Sequence, residues 1–331
     1  MPETADTPLL EARGLRKSFR VPRAASGGNR LHALGGVDLA VRRGQTLGLV
    51  GESGCGKSTL ARVLLMLERP DAGTVRFDGV DPFALRGREL LAWRRRVQMV
   101  FQDPFASLNP RLNAGDLISE PWLSHRDLVP RARRPARVAE LLEMVGLRAS
   151  DAARYPQEFS GGQRQRVGIA RALALNPDLV VCDEPVSALD LSVQAQVLNL
   201  LTDLQAELGI AYVFISHDLS VVRHVADEVA VMYLGRVVES GSAEEVFERP
   251  RHPYTASLLS AAPSLTETGG ERIVLRGEVP SPVDPPSGCH FRTRCWKAEA
   301  DCAAVTPVPE PADSAHRAAC LHPVELTAAP G

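Results

Sequence analysis

Eight residues, Gly51-Glu-Ser-Gly-Cys-Gly-Lys57-Ser58, follow the spacing G-x-x-x-x-G-K-[ST], directly after the apolar run QTLGLV. That spacing is what a phosphate cradle needs. The glycines let backbone N–H groups turn inward around phosphate oxygens, and the start of the following helix adds the positive end of its dipole. Lys57 would reach the β- and γ-phosphates as a compact charge, and the Ser58 hydroxyl would bind Mg²⁺. Gly51, Ser53, Gly54, Cys55, Gly56 and Thr59 complete the set expected to touch a nucleotide. Lys57 is one of only three lysines, with Lys17 and Lys297, among 38 basic residues. A second pair of candidates, Asp183 and Glu184, ends the apolar run LVVCDE. A buried strand delivers such carboxylates to its C-terminal edge, where open α/β sheets bind ligands. There Asp183 would join the Mg²⁺ shell and Glu184 would polarise an attacking water.

These residues need strands that end at the site and helices that start there, and the hydrophobic pattern supplies both. Leu9–Phe19 and Leu31–Val41 read as strands separated by ASGG at 25–28, expected to be a flexible loop. Gln45–Val50 reads as a buried strand. Ser58–Glu68 reads as a helix with Leu60, Val63, Leu64 and Leu67 on one face, stopped by Pro70. Thr74–Phe77 reads as another strand. Residues 84–158 read as mostly helical and Arg-rich, with Val138–Val145 the clearest amphipathic piece. After Ser160 come a helix over Gly162–Leu175, the strand before Glu184, a helix over Leu191–Leu208, the strand AYVFIS, a helix near Ser220–Val225 and a strand at Val229–Tyr233. Ser242 and Glu245 fit a capping box. Strands alternating with helices predict a parallel sheet covered on both faces. Beyond Pro250 the composition shifts to Pro, Ala and Cys.

Bulk properties narrow the class. The net charge is −2 over 331 residues, so no global basic field recruits nucleic acid. No apolar run reaches the roughly 18 residues of a membrane span. MPETADTPLL lacks a signal-peptide pattern, and a cytosolic setting makes structural disulfides unfavourable.

Phe159-Ser160-Gly161-Gly162-Gln163-Arg164-Gln165-Arg166 resembles the signature sequence of ATP-binding cassette ATPases. The physics again is that of small residues exposing N–H groups and a hydroxyl at a helix start. Other motifs match the same family in order and spacing. Phe19 stands where the family's adenine-stacking aromatic would be. Gln102, in VFQDP, resembles the Mg²⁺-sensing glutamine that links to the membrane partner. Ser187-Ala188-Leu189-Asp190 resembles the loop that contacts the opposite subunit, and His217 resembles the γ-phosphate histidine. The resemblance implies a P-loop core with an N-terminal antiparallel β subdomain and a helical subdomain near 84–158, together spanning 1–250. It also implies a competent hydrolase in which Glu184, His217 and Gln102 are catalytic. Ser160, Gly161, Gly162, Gln163 and Asp190 would bind nucleotide, and Ser58, Gln102 and Asp183 would hold Mg²⁺. The signature opens with Phe159 where the family often has Leu.

Three stretches, FQDPFASLNPR from Phe101, HPYTASLLSA from His252 and GEVPSPVDPPSGCHFRTRC from Gly277, resemble ATPase subunits of dipeptide and oligopeptide importers and their nickel-importing relatives. The resemblance implies a second ATPase subunit, expected to be a homologue in a heterodimer, with two membrane permeases and an extracytoplasmic solute-binding protein. It implies a place at the cytoplasmic face of the bacterial inner membrane. Nickel or other solute import, and a non-transport cassette ATPase, are the competing readings.

Residues 251–331 are expected to form a small Cys-rich domain. Its spacing is Cys289-x5-Cys295-x6-Cys302-x17-Cys320, whereas Cys55 and Cys182 read as small packing residues. Taken alone, the four thiols admit a disulfide pair, buried thiols, zinc or an iron–sulfur cluster. Zinc favours C-x2–4-C knuckles, absent here, and [4Fe–4S] tolerates wider spacing. The resemblance, to a subfamily some of whose members carry a cluster, implies [4Fe–4S], with Zn²⁺ as the alternative.

Overall fold

The apolar runs that bracket the phosphate cradle are strands in the computed structural model, which describes residues 7–22, 29–103, 107–261, 273–311 and 314–324. The ASGG loop expected at 25–28 and Pro104, Phe105 and Ala106 of the FQDPFASLNPR stretch lie outside the described residues. The strands are β1 (Leu10–Arg20), β2 (Arg30–Val41), β3 (Thr46–Val50), β4 (Ala72–Phe77), β5 (Val97–Val100), β6 (Leu179–Asp183), β7 (Ala211–Ser216), β8 (Glu228–Tyr233), β9 (Arg236–Ser242) and the short β10 (Arg317–Ala318). The α-helices are α1 (Lys57–Leu64), α2 (Gly87–Arg96), α3 (Ala114–Ser119), α4 (Arg134–Met144), α5 (Gly161–Leu173), α6 (Leu191–Leu208), α7 (Leu219–Val225), α8 (Ala243–Glu248) and α9 (Pro253–Ala261).

The chain divides into two compact units. One gathers Leu9–Ala40, Thr46–Val80 and Ser216–Gly331. Its small sheet has the order β2-β1-β4, with β4 antiparallel to β1, the antiparallel subdomain expected near the N-terminus. Its second layer places β3 parallel to β8, β9 antiparallel to β8 and β10 antiparallel to β9. β3 is buried at all five positions, as a strand covered on both faces must be. Residues beyond 250 belong to this same unit as the phosphate cradle, so the compact units divide the chain differently from the composition boundary at 250. They are knitted in by backbone bonds from His32 N–H to Pro282 O (3.0 Å) and Ala319 N–H to Val238 O (2.7 Å). The buried Glu239 carboxylate accepts from the Arg251 and His252 N–H groups at 2.6 and 2.9 Å and from His316 Nε2 at 2.8 Å.

The other unit is mainly Val41–Gln45 and Asp81–Ile215. Its strands β5, β6 and β7 are parallel, in that order. α3 and α4 lie in the region expected to be helical, and Trp122 there is fully buried, its indole N–H donating to Ala174 O at 2.8 Å. α6 runs over the predicted Leu191–Leu208, capped by Asp190 and ended by Gly209 at φ 66°, the left-handed C-terminus that glycine adopts without strain. The Ser242–Glu245 capping box opens α8 as expected.

Within the region 84–158, expected to be mostly helical, Val97–Val100 is a strand that pairs with β6. One expectation is corrected. The helix after the cradle ends at Leu64, not Glu68, because Met66 takes φ 55°. Leu67 therefore leaves the buried face and is 65% exposed, while Leu60, Val63 and Leu64 are fully buried.

Candidate nucleotide site and cysteine tail

In the first unit, β3 runs into the cradle and α1 starts from it. Gly56 precedes α1 at φ 112°, with no side-chain cap on the helix. A Cβ there would stand 2.4 Å from Ala33 O, so only glycine lets the loop pass this close to β2. The loop is pinned from behind by Gly235 N–H on Cys55 O at 2.8 Å. Lys57 is buried, and its ammonium donates to Gly51 O at 2.6 Å and Glu52 O at 3.1 Å. The charge is thus stored inside the loop that a phosphate would enter. Ser53, Gly54 and Ser58 are exposed and Thr59 half-buried, while Cys55 packs inward. Burial raises the Cys55 thiol above its ordinary range, against the pull of Lys57, so it is a packing thiol. Phe19, half-buried, carries Lys17 Nζ 5.2 Å from its ring centroid. Lys17 also pairs with Glu68 at 3.3 Å, and Lys297 donates to Pro323 O at 2.7 Å, so these two lysines have local structural partners. His217 follows β7 and is exposed.

In the second unit, Asp183 closes β6 and Glu184 follows it, both half-buried. Glu184 takes φ 48°, a left-handed conformation uncommon for a side chain of this size. It is held there by its N–H on Ile215 O at 2.9 Å and by the Ser187 hydroxyl on its carbonyl at 3.1 Å. The turn presents the carboxylate to Gln102, whose Nε2 donates to Glu184 Oε2 at 2.9 Å. Two residues 82 positions apart are thus brought within hydrogen-bond distance.

The signature residues also have a local account. Ser160 caps α5: its hydroxyl accepts from Gln163 N–H at 3.3 Å, and Gln163 Oε1 accepts from Ser160 N–H at 3.1 Å. Gly162 faces α6, where an added Cβ would stand 2.2 Å from Val193 Cγ1. Asp190 caps α6 by accepting from Val193 N–H at 3.0 Å, a bond that holds its carboxyl below the usual range. The signature helix and the Asp190 turn therefore pack side by side.

All four tail cysteines are free thiols, Cys302 buried and the others half-buried. They lie close enough for charge on each to act on its neighbours. Burial and the neighbouring thiols push Cys320 up to about 11, and burial raises Cys289 and Cys295 as well. Among the described residues, the only three ligand atoms all within 4.8 Å of one another are those of Asp301, Cys302 and His322. No three of the four thiol sulfurs therefore lie mutually within 4.8 Å, whereas the sulfurs of tetrahedral zinc, at a Zn–S bond of about 2.3 Å, stand ~3.8 Å apart.

Glu52, Tyr254 and Arg294 escaped the sequence reading. Glu52 occupies a free position of the cradle pattern, and nothing in local spacing ties it to residues more than 200 positions away.

Comparison with known proteins gives a consistent result. Residues 34–187 match the family described as ABC transporter, and residues 238–302 match that described as oligopeptide/dipeptide transporter, C-terminal region. The chain is 52% identical over 320 residues to the dipeptide transport ATP-binding protein DppF of Haemophilus influenzae, covering 96% of this chain and 97% of that one. It is 51% identical over 306 residues to DppF of Escherichia coli, covering 92% and 91%. Among solved structures, the cassette MJ0796 in a dimeric post-hydrolysis state bound to ADP and Pi matches at TM-score 0.63 and 30% identity, over 71% of this chain and 98% of that one. CbiO1 of Clostridium perfringens, part of the CbiONQ transporter complex, matches at 0.64 and 28%, over 74% and 92%.

Proposed function

The chain belongs to the ABC transporter ATPases that end in the oligopeptide/dipeptide transporter C-terminal region, and from that premise we propose that it hydrolyses ATP to power import of dipeptides or oligopeptides. The observation that carries the reading is the span of the likeness: it covers the cassette and the tail together, in relatives named for dipeptide transport. Lys57 and the loop N–H groups bind the β- and γ-phosphates of ATP, and Phe19 stacks on adenine. Glu184 takes the proton from the attacking water, with Gln102 and His217 orienting carboxylate and γ-phosphate. Ser58, Gln102 and Asp183 hold Mg²⁺, whose charge offsets that of the phosphates.

Ser160, Gly161, Gly162, Gln163 and Asp190 face the nucleotide of a second ATPase subunit, a homologue of this chain, so that ATP closes the pair. Differential affinity of ATP for the closed state is what moves two membrane permeases fed by a solute-binding protein. The subunit sits at the membrane through those permeases; no helix among the described residues is long and apolar enough to cross a membrane. Cys289, Cys295, Cys302 and Cys320 hold a [4Fe–4S] cluster, a reading supported by the four-thiol donor set and its wide spacing. The cluster would supply local stability to a Pro-rich segment with little core of its own.

The function is tested by ATP hydrolysis in the reconstituted transporter. Binding protein loaded with a di- or oligopeptide should stimulate turnover several-fold over unloaded binding protein. Stimulation by Ni²⁺ alone, with none by any peptide, would replace the substrate class.

A further inference from the structure

Glu52 is the second residue of the phosphate cradle, and the G-x-x-x-x-G-K-S pattern asks nothing of its side chain, because phosphates are held there by backbone N–H groups. Its side chain nevertheless has a built partner. Arg294 Nη1 donates to Glu52 Oε2 at 2.6 Å and Nη2 donates to Oε1 at 3.0 Å. The Arg294 side chain is only 6% exposed and that of Glu52 27%. Such a parallel fork fixes orientation as well as distance. The Glu52 backbone is held too: its N–H donates to the Tyr254 hydroxyl at 3.0 Å, and its carbonyl accepts from Lys57.

Both partners come from the chain beyond residue 250. Arg294 stands in a turn closed by its N–H on Phe291 O at 2.9 Å. Phe291, fully buried, packs on Tyr233 and Tyr254 with ring centroids 5.2 and 5.3 Å away. The tail therefore grips the cradle at one residue from two sides, by an ion pair and by a hydroxyl. An unpaired carboxylate at this place would oppose a polyphosphate, and the guanidinium cancels it.

We infer that Arg294 and Tyr254 are positioning residues for the phosphate cradle, so that the fold of the 289–295 segment sets the affinity of the site for ATP. The inference rests on residues 51–58 being the ATP site. It assigns the tail an effect on nucleotide binding rather than on the chemical step. Removing the clamp lets the loop wander and leaves Glu52 charged beside the phosphates, which weakens ground state and transition state alike. Such a loss moves KM and leaves kcat.

The test is ATP binding by titration calorimetry on the full chain, with KM and kcat measured in the transporter. Arg294→Ala should raise Kd and KM for ATP about tenfold with kcat within about twofold. Arg294→Lys, which keeps the charge but not the fork, should lose less. Glu52→Ala combined with Arg294→Ala should bind no more weakly than Arg294→Ala alone. The swapped pair Glu52→Arg with Arg294→Glu should recover most of the affinity that each change loses alone. If Arg294→Ala fails to fold, Tyr254→Phe removes the hydroxyl only and should still raise Kd about threefold. A folded Arg294→Ala chain with unchanged Kd and KM, even one that melts earlier, overturns the inference, as do effects of Glu52→Ala and Arg294→Ala that simply multiply. Wild-type protein that binds no ATP would instead remove the nucleotide site itself.

Discussion

Glu184 shows what a single residue can and cannot reveal in advance. Its acid beside Asp183 at the end of an apolar run was legible, because buried strands deliver side chains to their edges. Its left-handed backbone was not, since φ 48° at a glutamate is set by Ile215 and Ser187 rather than by any preference of the residue. Backbone strain of this kind persists only where surrounding bonds over-determine it, and functional sites are where it collects. The turn aims the carboxylate at Gln102, the placement on which the proposed role of general base rests. Replacing Glu184 by Gln keeps the volume and a hydrogen bond to Gln102 but removes the proton acceptor. Turnover should fall about 10²–10⁴-fold while ATP binding, read by calorimetry, stays within a few-fold. Hydrolysis at the wild-type rate would take Glu184 out of the base role.

At the scale of elements, strands and helices whose periodicity is local were readable, and pairings that depend on distant chain were not. α6 was readable in full because its cap, its apolar positions and Gly209 all lie in its own sequence. β5 was missed because its four residues, Val97-Gln-Met-Val100, follow an arginine-rich helix and become a strand only by pairing with β6, some 80 residues on. The start of α9 carries a testable case. His252 is buried, and its Nδ1 accepts from Tyr254 N–H at 3.0 Å, so the ring is neutral in the folded protein. Burial pushes its pKa down to about 4, against the pull of the Glu239 carboxylate. A folded-state value below the unfolded one means that the unfolded chain takes up the proton first. Stability is therefore lost as pH falls from about 6.5 toward 4, by roughly 3 kcal/mol from this group. His252→Asn keeps an acceptor for the Tyr254 N–H without the titration, so its urea-unfolding free energy should decline less over that range. Equal slopes for the two proteins would show that the ring does not govern acid stability.

For the whole molecule, the tail is the part where sequence and structure carry different shares of the argument. Spacing gave four thiols and left four explanations; the fold brings those thiols near one another and ties the segment that carries them to Glu52 through Arg294. A segment with so little apolar core needs something to hold its turn, and if that turn is lost, the grip on the cradle goes with it. The cluster reading therefore has a consequence at the nucleotide site as well as in the tail. Protein purified without oxygen should contain about four irons and four acid-labile sulfides per chain, and Cys289→Ser should lose them. The same variant should become protease-sensitive over residues 275–325 and bind ATP several-fold more weakly, because Arg294 loses its support. One zinc per chain, or no metal with a protease-resistant tail, would rule the cluster out and leave the clamp to stand on packing alone.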